Sequence, residues 1–179
     1  MFGAAYLYTC CLAFASIALA ASSNESSLVA TALVTNSQNH TAIECWKFTP
    51  PFTASSSSGT SGALTFNFED LANATYTVIP GRFNGGQHNA PHPQLVAFFS
   101  GMAHITLPDS SDSSDEAWIL GGANGLIVAV DTTGSGHITT YPSDEQTIAL
   151  QIAFAGEAIP PHTVLKTGAC EVSSQIISN

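Results

Sequence analysis

Basic residues are almost absent from this chain. Lys47, Arg82 and Lys166 stand against 13 acidic residues, giving a formal net charge of −10 over 179 residues. Binding a phosphate backbone or an anionic membrane surface relies on clustered Lys and Arg, so neither nucleic acid nor such a membrane is an expected partner. Helical periodicity is also lacking beyond the apolar N-terminus. Two familiar signatures are missing as well. "GGANG" at Gly121–Gly125 lacks the G-x-G-x-x-G spacing of a dinucleotide loop and reads as a turn, and Ser135 is not framed by the G-x-S-x-G of a nucleophile elbow.

Cysteine is scarce, with four in all. Cys10 and Cys11 lie in MFGAAYLYTCCLAFASIALAASS, an apolar run ending in the small-x-small Ala18-Leu19-Ala20 that signal peptidase reads. The expectation is a signal peptide over 1–20 and a secreted chain that leaves the membrane after cleavage; an uncleaved anchor is the alternative. Cleavage would leave Cys45 and Cys170, expected to form one disulfide across most of the domain, against the alternative of two buried thiols. Three sequons, at Asn24, Asn39 and Asn73, are candidate glycosylation sites and suit the same compartment.

What the sequence does hold is a series of short β-rich runs separated by Gly, Pro, Ser and Asp. Ile43–Phe48, Ala63–Phe68, Thr75–Ile79, Leu95–Ser100, Ala103–Leu107, Ala117–Leu120, Leu126–Val130, His137–Thr140 and Thr147–Phe154 read as strands of an all-β sandwich or small barrel. The serine-rich Thr53–Gly62 and the acidic Pro108–Ala117 read as solvated connections; the acidic one lacks the glycine and closing glutamate of an EF-hand. The expected organisation is a signal peptide (1–20), a mobile N-terminal segment (21–42), a β-barrel domain (43–171) and a tail (172–179). Leu95-Val96-Ala97-Phe98-Phe99 is apolar on both faces of a strand, so each face needs cover from the interior, a second sheet, the N-terminal segment or a second subunit in a homodimer.

Against this apolar background, "QHNAPHPQLVAFFSG" and "LIVAVDTTGSGH" stand out. Together they resemble the motifs of the cupin superfamily over about Tyr76 to Leu150, in particular small single-domain cupins with H-x-A-P-x-x-Q followed by D-T-T-G-x-G-H. The resemblance implies an antiparallel jelly-roll β-barrel. In that family two histidines and a glutamate of the first motif hold a metal with a histidine of the second. Here the positions fall on His88, Ala90, Gln94 and His137, so one histidine is missing and the carboxylate has become an amide.

The resemblance makes His88, Gln94 and His137 the candidate catalytic residues. The same three are the candidate ligands of one divalent transition metal (Fe, Mn, Ni, Cu or Zn), with His92 the candidate for the missing histidine if the segment is extended. A neutral amide in place of a carboxylate weakens such a site, so a metal-free pocket is the equal alternative. His104 and Asp131 are expected behind these residues: His104 pointing inward beside the site, Asp131 fixing the loop that presents His137 by accepting backbone N–H groups while Gly134 or Gly136 takes positive φ, with orientation of an imidazole or proton transfer as its alternative role. His40 and His162 show no chemical partner.

The resulting expectation is a secreted enzyme of small-molecule or secondary metabolism, of oxygenase, isomerase, lyase or cyclase type. The alternatives are a non-catalytic barrel that binds a small ligand or sugar, and a purely structural protein.

Overall fold

The computed structural model describes residues 25–108, 110–171 and 174–178. The expected signal peptide, Cys10, Cys11 and the sequon asparagine Asn24 lie outside the described residues. The fold is all-β. Its strands are β1 (Ser26–Thr35), β2 (Thr41–Phe48), β3 (Thr53–Ala54), β4 (Leu64–Thr65), β5 (Leu71–Ile79), β6 (Phe83–His88), β7 (Gln94–Ser100), β8 (Met102–Thr106), β9 (Glu116–Leu120), β10 (Leu126–Ala129), β11 (His137–Tyr141), β12 (Thr147–Phe154), β13 (His162–Thr167) and β14 (Ile176–Ser178). Among the described residues no helix is long and apolar enough to cross a membrane.

The strands form a large sheet in the order β13-β2-β1-β10-β7-β12-β5, with β14 paired to β1, a smaller sheet β6-β11-β8-β9, and the short β3-β4 hairpin. The two larger sheets enclose one core. Leu33, Ile43, Val96, Phe98 and Ile127 come to it from the large sheet, and Ala103, Ile105, Ala117 and Ile119 from the small one. Strand alternation explains the division, since each contributor has a neighbour on the opposite face. Burying one such Val, Leu, Ile or Phe side chain is worth about 1.5–3 kcal/mol, so this interior is a main source of stability.

The second face of β7 is met by a second core. Leu28, Trp46, Phe48, Leu95, Val128 and Phe154 pack beneath Phe52, Phe66 and Phe68, which the 49–70 connection folds over the large sheet. Phe48 meets Phe66 and Phe68 edge-on at 5.8 and 5.7 Å, a geometry the ring quadrupoles favour. The connection therefore supplies, at the Leu95 end, the cover that the apolar strand required. Phe99 at the other end is 52% exposed.

Three expected boundaries change. Ser26–Thr35 is no mobile segment: it is β1, buried along most of its length, antiparallel to β2 and parallel to β10. "SSLVATALVT" is apolar on both faces, which suits a strand covered on both sides. At the other end, Ile176–Ser178 pairs with β1 instead of forming a free tail, and Gln175 bonds the backbone of Val29 and Leu126. The glycine-bearing FNGGQH, not expected as a strand, is β6, held by pairing with β11 across a register shift at Thr139/Thr140. Cys45 and Cys170 are disulfide-bonded across 125 residues, joining β2 to the C-terminal segment.

Candidate functional site

The loop between β10 and β11 presents the second motif. Gly134 and Gly136 both take positive φ, 89° and 69°, as expected for this turn. Gly136 is also a matter of space, because a Cβ there would lie 2.6 Å from the His88 carbonyl oxygen. The absence of a side chain lets the start of β11 lie against the end of β6, where His137 and His88 are register partners. Their imidazole rings are 4.5 Å apart, inclined at 60°.

The first motif grips the second through polar side chains. The Asn89 amide donates to the carbonyls of Asp131 and Thr133, both at 2.9 Å, and the Gln87 amide donates to that of Ser135 at 2.7 Å. The Thr35 hydroxyl bonds the Thr133 carbonyl, and the Thr41 N–H bonds the Ser135 hydroxyl. These bonds fix a loop that has no regular secondary structure to satisfy its backbone.

Asp131 is fully buried, and its carboxylate takes the alternative of its two expected roles, contact with an imidazole. Oδ2 accepts from His137 Nδ1 at 2.7 Å and from the Thr41 hydroxyl at 3.2 Å, so it binds an imidazole and a hydroxyl, not the loop's N–H groups. Among the described residues Oδ1 has no partner. A buried carboxylate is costly unless paired, and the imidazole is the group placed to compensate it. A carboxylate only accepts, so the proton of neutral His137 resides on Nδ1 and the Nε2 lone pair stays free. His88 follows the same rule: its Nδ1 lies 3.0 Å from the Gly86 carbonyl oxygen, another obligate acceptor. Both rings thus keep Nε2 for a ligand or a proton.

His88, Gln94 and His137 converge on one cavity of about 110 Å³ within the main core. His137 and Gln94 are each 5% exposed, whereas His88 stands exposed at the mouth. Gln94 heads β7, and its amide has no hydrogen bond among the described residues. Ala90, where the family motif has its second histidine, lines the cavity and is buried. Alternation along β11 brings Thr139 and Tyr141 to the same wall as His137. Gln151 of β12 adds a second amide, whose oxygen accepts from the Thr77 hydroxyl at 2.8 Å. Burial pushes the Tyr141 phenol above its ordinary value near 10.

Two expected participants lie elsewhere. His92 is exposed and does not line the cavity, because the chain between Pro91 and Pro93 bends instead of extending, which breaks the alternation that would have aligned it with His88 and Gln94. His104 faces away from the interior: Ala103 and Ile105 take the inward positions of β8. It stacks on Trp118 at 3.8 Å and bonds Glu116 at 2.9 Å. His162, expected without a partner, opens β13 and stacks on Trp46 at 3.5 Å.

A resident divalent metal would find two imidazole nitrogens and one neutral amide at this cavity. No group of three or more His, Cys, Asp or Glu able to hold a metal occurs among the described residues. The nearest carboxylate, Asp131, is spent behind His137. This set supplies two imidazoles and a weak amide donor where catalytic transition-metal sites have three strong protein ligands. The arrangement is able to transfer protons: an imidazole oriented by a carboxylate, a phenol and two amides surround a small apolar chamber.

Tyr141, Gln151, Asn89 and Thr41 were not foreseen. The first two were within reach, since counting in twos from His137 and along Thr147–Phe154 selects them. Asn89 and Thr41 act across long sequence separations and leave no local trace. No family model, curated protein or solved structure matches the chain.

Proposed function

We propose that this chain is a secreted, cupin-like enzyme that moves protons on a compact small molecule, with His137 as general base. The observation that carries the proposal is the buried Asp131–His137 pair beside the cavity, with His137 Nε2 bonded by no other group among the described residues. The carboxylate orients the ring and stabilises the imidazolium formed when Nε2 accepts a proton. Gln94 steadies a developing oxyanion by donating an N–H bond. The chemistry is of isomerase or lyase type and is carried by the side chains themselves. The cupin assignment rests on the two motifs, their order, the all-β fold and their meeting at one cavity. Secretion rests on the N-terminal sequence and agrees with the Cys45–Cys170 disulfide; Asn39 and Asn73 would then be available for glycans.

A second reading, non-catalytic capture of a small ligand, is favoured by Ala90 and Gln94, which replace two metal ligands of the family motif. Metal analysis and ligand titration of the secreted protein test both. Compact polar fragments should shift the ring signals of His88 and His137, and the shift at His88 should vanish in His137→Ala. Stoichiometric transition metal lost in His88→Ala and His137→Ala would overturn the metal-free chemistry. Fragment binding unaffected by either substitution would overturn the site itself.

A further inference from the structure

We infer that the cavity takes an uncharged α-hydroxy carbonyl compound of about six heavy atoms, with Tyr141 serving as the acid that protonates the carbonyl oxygen while His137 removes the neighbouring carbon-bound proton. This rests on the reading of His137 as a base and adds its substrate class and acid.

Size sets the first limit. A cavity of about 150 Å³ holds benzene, so about 110 Å³ admits a molecule no larger, save for a group left at the mouth beside His88. Charge sets the second. Among the described residues no Lys or Arg lines the chamber, and the chain carries −10 overall, so no fixed positive charge there offsets the desolvation of a phosphate or carboxylate. Hydrogen bonding sets the third. Because the Gln151 oxygen is occupied by Thr77, its NH₂ is left as a donor. Gln94 is 95% buried yet has no side-chain partner among the described residues, and it can serve a hydroxyl or a carbonyl. An unpartnered amide facing a cavity is placed to bond a polar ligand.

Tyr141 completes the arrangement. It lies four residues along β11 from His137 and lines the same cavity; at a rise of about 3.3 Å per residue their Cα atoms are roughly 13 Å apart. Two inward-reaching rings at that spacing leave a gap for one small molecule over Thr139. The phenol makes no hydrogen bond among the described residues, and burial raises its pKa, so it stays protonated in the empty cavity and is free to bond the carbonyl oxygen.

The step is balanced without any oxidant or cofactor. His137 Nε2 takes the proton from the hydroxyl-bearing carbon; that C–H pair becomes the C=C bond of an enediol as the carbonyl π pair moves to oxygen, which takes the Tyr141 proton. Tyrosinate then removes the proton of the other hydroxyl, and the imidazolium returns its proton to the adjacent carbon. The product is the isomeric hydroxy carbonyl compound, and both side chains are restored.

The test is exchange of carbon-bound hydrogen in D₂O, followed by proton NMR with acetoin and dihydroxyacetone as probes and the intact, disulfide-bonded protein as catalyst. The inference expects exchange at the carbinol carbon of at least one probe, lowered about 100-fold in kcat by Tyr141→Phe and lost in His137→Gln. Both variants should keep the wild-type circular dichroism. Exchange lost in His137→Gln but unchanged in Tyr141→Phe would overturn the role of Tyr141 and leave the base standing. Probes that shift the His137 ring signals without exchanging would overturn the hydroxy carbonyl class alone. Exchange indifferent to His137→Gln would overturn the proposed function as well.

Discussion

His137 Nδ1 lies 2.7 Å from Asp131 Oδ2, and the two side chains are 6% and 0% exposed. Five residues of loop separate them, and the loop's polar anchors hold them face to face. The first consequence concerns the tautomer. Asp131→Asn would present an amide that can donate to Nδ1 and drive the ring proton to Nε2, where a base is needed. Activity at the cavity should fall by about 100-fold or more, with little change in ligand affinity. A kcat loss matched by an equal rise in KM would show instead that the pair only shapes the pocket.

Gly136 is the closest point between the two motifs. Gly136→Ala places a methyl group against the His88 carbonyl at a φ of 69° that L-residues adopt at a cost. The variant should lose about 1–3 kcal/mol of stability and bind ligand more weakly, as read by urea unfolding and by ligand titration.

The buried phenol of Tyr141 carries a pH signature. Its pKa is raised on folding, so its contribution to stability is full below pH 10, the unfolded group's range. As pH rises beyond that, the unfolded chain releases the proton while the folded chain retains it, and stability declines until the folded phenol ionises too. Urea midpoints at pH 9 and pH 11 should therefore fall more for the wild type than for Tyr141→Phe. The ionisation step missing from the absorbance titration of Tyr141→Phe should lie above pH 10.

His104 provides a negative control. Its ring stacks on Trp118 and its Nε2 meets Glu116 on the outer face of β8 and β9. His104→Ala should leave activity and ligand affinity unchanged and cost about 1 kcal/mol of stability. A strong effect on activity would place His104 in the site after all.

The disulfide makes a further prediction. Closing a loop of 125 residues is worth about 5 kcal/mol in the chain-entropy model, so the Cys45→Ser, Cys170→Ser double variant should unfold at markedly lower urea. Loss of less than about 1 kcal/mol would show that the paired strands already hold the ends together.

The strands from Leu95 to Phe154 were legible because each is a short β-rich run bounded by clear turn residues. β1 was hidden because its apolar run follows the apolar N-terminus across a short serine-rich stretch, with no Gly or Pro to mark its start. β6 was hidden because FNGGQH has little intrinsic preference for a strand and depends on β11. The meeting of His88, Gln94 and His137 at one cavity could be anticipated from two motifs. Direction was harder. Alternation puts Ala103 and Ile105 on one face of β8 and His104 on the other, yet it does not say which face is inside; only packing against the large sheet decides. Asp131 shows a similar limit, since its turn chemistry was readable whereas its bond to His137 requires the folded loop.

The central claim is that His137, oriented by Asp131, presents an unprotonated Nε2 to the cavity. Long-range ¹⁵N–¹H correlation spectra of histidine-labelled protein, recorded with His137 neutral, read this directly. The account predicts a protonated Nδ1 and a bare Nε2 at His137, with the Nε2 resonance shifting when a compact hydroxy carbonyl compound binds. A proton on Nε2, or an Nε2 signal indifferent to every ligand that binds the cavity, would contradict it.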